Sequence, residues 1–181
     1  WRISDDLWDR WEDIYQQFPR LARWAPFQTT GHWADADMLP LGHIGLRAER
    51  GDDRQSRLTE DESRTLLALW CMGRSPLMVG GDLPTSTSET IELLANPALR
   101  EVTAGSTNNH ETVYERIFER WDDENSYLGD LVVWAADAAD WADGTPSAHS
   151  GGHYAAIFWT GDRDYELPAT IELQSIVGLS Q

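Results

Sequence analysis

The sequence contains no lysine. All 14 basic side chains are arginine, set against 31 acids, for a formal net charge of −17 over 181 residues. Nucleic acid and anionic membranes recruit basic patches, so this balance excludes both as expected partners. Cysteine is nearly absent too. Cys71 stands alone, which rules out an internal disulfide and a cysteine-based metal site and leaves compartment open. No stretch reaches the roughly 18 consecutive apolar residues that a membrane-spanning helix needs. No leader peptide is visible, and a chain opening on Trp1 reads as a portion of a longer protein. What is abundant is aromatic surface. With 10 Trp, 5 Tyr, 4 Phe and 41% hydrophobic residues, a packed core is expected rather than disorder. The length suits one large domain or two smaller ones.

Leu7, Trp8, Trp11, Ile14, Tyr15 and Phe18 recur at three- and four-residue spacing, which predicts a helix over 6–18. Asp5 or Asp6 would cap it, and Pro19 would stop it. "GHWADADMLPLGHIG", residues 31 to 45, reads as loop around a short strand ending near Asp35. Residues 46 to 57 are charged and read as a solvated loop. "LTEDESRTLLALWCMG" predicts a helix opened by a Thr59/Glu62 capping box and closed at Gly73. "PLMVGGDL" reads as a buried parallel strand. Ser86 with Glu89 predicts a further helix start, closed near Asn96-Pro97. Residues 1–97 thus alternate helix and strand, as in a parallel α/β unit. "TVYERIF", "DLVVWAA", "HYAAIFW" and "ATIELQ" then predict an antiparallel sheet over residues 98–181. Residues 121 to 129 and 137 to 152 read as the polar connections between those strands.

Three stretches together carry a resemblance. "WRISDDLWDRW" resembles the segment after the sixth barrel strand of family 27 glycoside hydrolases, the clan D α-galactosidases and α-N-acetylgalactosaminidases. "GHWADADML" resembles that family's GGWNDPDML, and "LALWCMGRSPLMVGGDL" its LWAxxxAPLxxxNDL. Ala34 and Ala36 replace the family's Asn and Pro, and Asp5 its Gly. The resemblance implies the C-terminal part of a (β/α)8 TIM barrel, strands six to eight in residues 1–97. An incomplete antiparallel β-sandwich follows in residues 98–181. It also implies that the nucleophile lies on the fourth strand, ahead of this chain.

Glycoside cleavage with retention needs two carboxyl groups about 5–5.5 Å apart, one acid/base and one nucleophile. From spacing alone Asp6 is a helix cap. The resemblance makes it the acid/base, with a burial beside tryptophans that would keep it protonated. It implies that Arg2, Asp37 and Met38 contact the sugar, and that the parent is a retaining α-galactosidase acting on α-galactosides without a cofactor. The isolated chain would be inactive. The alternatives are an α-N-acetylgalactosaminidase, a β-L-arabinopyranosidase, or a non-catalytic galactose-binding module. Asp35, Asp37 and Asp82 lack the ligand spacing and turn of a cation loop, so no metal site is expected. The five histidines are scattered, and Cys71 reads as inert core.

Overall fold

The computed structural model describes residues 1–47, 51–121, 124–141 and 143–166. Helix α3, Glu60–Met72, forms as its sequence predicts. The Thr59 hydroxyl accepts from the Glu62 amide, and the Glu62 carboxylate accepts from the Thr59 amide at 2.7 Å. Glu60, Asp61 and Glu62 set negative charge against the positive end of the helix dipole. Leu66, Leu67, Leu69, Trp70, Cys71 and Met72 are all buried. Gly73 is the C-cap.

The N-terminal helix departs from expectation. Residues 6 to 10 form no helix; α1 spans Trp11–Tyr15 and α2 spans Gln17–Trp24. Pro19 does not stop a helix but sits in the first turn of α2, where no intrahelical N–H is required. Ile14, Phe18 and Leu21 are fully buried, so the apolar stripe is legible in the sequence although its bounds are not. Asp5 and Asp6 cap nothing, because the helix begins at Trp11 with Arg10 as its N-cap.

Three short extended segments lie side by side in parallel. Ile3 N donates to Asp35 O at 2.8 Å and Asp35 N to Trp1 O at 2.8 Å. Leu39 N donates to Met78 O at 2.7 Å and Gly80 N to Leu39 O at 2.9 Å. The pairing is limited to isolated bridges, Arg2 with Asp35 and Leu39 with Val79. The 76–83 stretch is not a buried strand: Met78 is 47% and Leu83 47% exposed. Gly81 permits the close approach of this stretch to its neighbour, since a Cβ there would lie 2.1 Å from the Leu41 carbonyl oxygen.

The 46–57 region contains β2, Arg54–Gln55, paired antiparallel with β1, His43–Ile44. Helix α4, Ser88–Leu94, is capped by Thr87 rather than Ser86. The Ser86 hydroxyl is instead committed across the turn, accepting from His43 N and donating to Asp82 O. Asn96 does not close α4; it caps a further helix, α5, Pro97–Ala104. Helical structure therefore continues past residue 97.

Strands β3, Ser106–Trp121, β4, Glu124–Ala138, and β5, His153–Trp159, form one antiparallel sheet in the order β3-β4-β5. The hairpin is longer than the sequence predicts. Its pairing runs to Trp121 opposite Glu124, so 124–129 are strand rather than connection. The expected "ATIELQ" strand lies outside the described residues. The central strand β4 is covered on both faces, which explains its continuous apolar run. Val132, Trp134 and Ala136 join the core with α3, while Leu131, Val133 and Ala135 pack with Val113 and Ile117.

A buried carboxylate ties the sheet to α1. Asp130 is fully buried and accepts from the Tyr15 and Tyr114 hydroxyls, each at 2.5 Å. Burial first, and then the bond to Asp130, push the Tyr15 hydroxyl pKa far above its ordinary value.

Candidate active site

Arg2 joins two carboxylates. Its Nη2 lies 2.9 Å from Asp6 Oδ1 and 3.0 Å from Asp37 Oδ2. The parallel pairing of residues 1–3 with 33–35 brings these groups together. Asp6 and Asp37 each follow one of these segments, so their side chains converge at the same end. Asp37 is mostly enclosed, with 16% of its side chain exposed, whereas that of Asp6 is 55% exposed. The burial of Asp6 beside tryptophans, expected from the sequence, is therefore not present in this chain. Trp1 packs instead at a tilt against Trp24 and His32, with ring centroids 6.0 and 6.1 Å away.

Asp37 has φ of +84°, an uncommon conformation for a residue with a side chain. Three contacts hold it there. Asp37 N donates to Asp35 Oδ1 at 2.9 Å, and Trp70 Nε1 donates to Asp37 O at 3.0 Å. Leu7 N donates to Asp37 Oδ2 at 2.6 Å. This last bond fixes the backbone next to Asp6 to the second carboxylate. Backbone strain of this kind concentrates where a side chain must be aimed.

Met38 packs over Gly80, where a Cβ would come 2.4 Å from the Met38 sulfur. It lines a cleft of about 280 Å³ together with Trp8, His43, Arg47 and Asp82. The structure thus brings Arg2, Asp6 and Asp37 together, while Met38 faces Gly80 and a cleft whose lining includes none of those three.

Sequence reasoning misses the residues behind them. Asp9 is 3% exposed, with Arg54 Nε donating to its Oδ2 at 3.0 Å and Arg54 Nη2 to its Oδ1 at 2.6 Å. Arg57 N donates to Asp9 Oδ2 at 3.0 Å. Burial by itself raises the Asp9 pKa, but the Arg54 hydrogen bonds, the Arg57 amide and the Arg54 charge outweigh it. The carboxyl is held below the ordinary range. Asp13 Oδ2 accepts from Trp8 N at 3.0 Å and, with Oδ1, from Arg10. His43 belongs to "GHIG", too short a motif to single it out. Its Nδ1 meets Thr85 Oγ1 at 2.6 Å, its Nε2 meets Asp53, and Thr85 donates to Asp82 Oδ2 at 2.5 Å. No periodicity or short motif announces such pairs; only the acid-every-few-residues spacing in "DDLWDRWED" offers a signal.

The depressed Asp9 carboxyl has a consequence for acid stability. A group whose pKa is lowered by folding stabilises the fold above its unfolded value, about 3.9, and that contribution disappears as pH falls through the folded value. The stability gap between the natural protein and Asp9→Asn is therefore expected to be full at neutral pH and to narrow below about pH 4. Urea midpoints at pH 7 and pH 3 test this. A gap of equal size at both would refute the assignment.

Among the described residues, no three His, Cys, Asp or Glu side chains are placed to hold a metal ion. Cys71 is buried, and desolvation raises its thiol pKa, the opposite of what a nucleophile requires.

Comparison with known proteins places the chain in the glycoside hydrolase class. The family model described as alpha galactosidase A matches residues 1–104. The chain belongs to this family, glycoside hydrolase family 27, whose members are glycoside hydrolases. It is 27% identical over 164 residues to alpha-galactosidase 2 of Arabidopsis thaliana, covering 87% of this chain and 36% of that protein. The crystal structure of a family 27 β-L-arabinopyranosidase from Geobacillus stearothermophilus superposes with a TM-score of 0.67 at 40% identity, over 77% of this chain and 29% of that one. The α-galactosidase of Saccharomyces cerevisiae, solved with raffinose, shares the fold at a TM-score of 0.66 and 17% identity, over 93% of this chain and 32% of that one. The chain thus spans about a third of the length of these relatives.

Proposed function

We propose that the whole protein is a retaining α-galactosidase, releasing terminal α-D-galactosyl residues from glycosides. Residues 1–97 form the part of its (β/α)8 barrel that contains strands six to eight, and the antiparallel sheet that begins at Ser106, after α5, belongs to a C-terminal β-sandwich. The observation that carries this reading is Arg2 bridging Asp6 and Asp37, at 2.9 and 3.0 Å, on adjacent parallel segments. Active sites of such barrels sit at the carboxyl ends of the strands. The exposed apolar side chains Met78 and Val79 fit a wall that the remaining strands cover.

In this mechanism a carboxylate outside this chain attacks the anomeric carbon as the glycosidic C–O bond breaks. The Asp6 carboxyl gives its proton to the departing oxygen. Water then enters: Asp6 takes one proton from it, the hydroxide forms the new bond to the anomeric carbon, and the nucleophile carboxylate leaves. Arg2 and Asp37 bind sugar hydroxyls through charge-assisted hydrogen bonds, and Met38 packs on the ring's apolar face. The isolated chain, with one of the two carboxylates, turns nothing over.

The 40% identity to a β-L-arabinopyranosidase favours one second reading. β-L-Arabinopyranose has the ring stereochemistry of α-D-galactose without its hydroxymethyl group. Hydrolysis by the whole protein of aryl α-D-galactoside, β-L-arabinopyranoside and α-N-acetylgalactosaminide separates these. A kcat/KM highest for the galactoside, with the α-anomer of galactose released first, is the expected outcome. Preference for the arabinoside selects the second reading. Galactose binding without hydrolysis of any of the three would replace both with a binding module.

A further inference from the structure

Asp6 lies in a stretch without regular secondary structure, between Arg2 and α1. Side-chain carboxylates do what a strand or helix would otherwise do there. Leu7 N is held by Asp37, Trp8 N by Asp13, and the Asp9 side chain by Arg54 and the Arg57 amide. The Asp9–Arg54 contact is the most enclosed of these, with side-chain exposures of 1% and 13%.

A buried ion pair is a poor source of net stability, because desolvation offsets most of the attraction. A two-pronged guanidinium–carboxylate contact does fix direction as well as distance. Arg54 opens β2, which pairs with β1. Strand β1 begins five residues after Met38. The contact therefore links the Asp6 segment to the chain that continues from the proposed sugar-contacting residues.

We propose that Arg54 is a positioning residue, whose grip on Asp9 aims the Asp6 carboxyl at the leaving-group oxygen. The proposal rests on the reading of Asp6 as acid/base. Arg54 touches neither substrate nor the reacting atoms. Its effect passes through Asp9 and the two backbone residues, Trp8 and Leu7, that separate it from Asp6.

The test exploits leaving-group chemistry. A dinitrophenolate departs without a proton, whereas an alkoxide does not. In the whole protein, Arg54→Lys keeps the charge but loses the fork. Its kcat/KM on methyl α-galactoside is expected to fall about 10²-fold, the scale of a misplacement near 1 Å. On 2,4-dinitrophenyl α-galactoside it should stay within a few-fold, because that leaving group needs no acid. A purely structural role would lower both in parallel. Should Arg54→Lys not fold, the isosteric Asp9→Asn carries the same test.

Asp6→Asn is assayed alongside. If Asp6→Asn shows the selective loss and Arg54→Lys loses both substrates equally, or neither, the clamp is overturned while the acid/base assignment stands. If Asp6→Asn itself shows no selectivity, the acid/base reading fails and takes the clamp with it.

Discussion

Replacing Asp6 with Asn in the whole protein is expected to lower kcat/KM on an alkyl α-galactoside by about 10²–10⁴-fold, the usual contribution of a positioned general acid. The substitution is nearly isosteric, and the amide oxygen can still accept from Arg2, which lies 2.9 Å from the present carboxylate. What disappears is the transferable proton. The loss should depend on the leaving group: on 2,4-dinitrophenyl α-galactoside, which needs no proton, Asp6→Asn should stay within a few-fold. Asp37→Asn should behave differently. It weakens a contact to the sugar and removes one charge facing Arg2, raising KM for both substrates alike. Turnover unchanged by Asp6→Asn would return Asp6 to a surface carboxylate and break the central assignment.

The largest loss of stability is expected from Trp70→Ala. Trp70 is fully buried among Leu7, Phe18, Leu66 and their neighbours in the core. Truncating a buried tryptophan costs about 3–5 kcal/mol, because the surroundings collapse only partly onto the cavity. A typical domain has only about 5–15 kcal/mol in all. Trp70→Phe separates packing from hydrogen bonding. It keeps most of the apolar volume but leaves the Asp37 carbonyl without its indole donor. A loss of about 1–3 kcal/mol is expected if that carbonyl then goes unpaired, along with weaker sugar binding as the strained Asp37 relaxes. Urea midpoints with an unchanged m-value, set beside KM, measure the two effects. A Trp70→Ala loss below about 1 kcal/mol would show that the site rebuilds without the ring.

Much of this architecture is legible in the amino-acid order. The acidic first turn and capping box of "TEDE" predict the start of α3, because those side chains satisfy their own helix's free amides within one turn. "HYAAIFW" coincides with β5. The aspartate-bearing motifs around residues 6 and 37 point to the family. The misreadings share a cause. Asp5 and Asp6 look like caps, and Pro19 like a stop, because those roles are judged from a few neighbouring residues. The site's contacts are made over longer spans. Arg2 must meet a carboxylate 35 positions away, Asp9 an arginine 45 away, and Asp130 a tyrosine hydroxyl 115 away.

The sequence by itself therefore determined the segments whose stabilising contacts fall within a turn or along one strand face, and the motif set that marks the family. Only the tertiary structure decided which charges meet. Acids spaced along "DDLWDRWED" are equivalent until the chain's path encloses one with Arg54, sets another beside Arg2 and turns a third to the Trp8 amide. A charge's worth depends on how far it is withdrawn from water and on what faces it there, and both are properties of the folded chain.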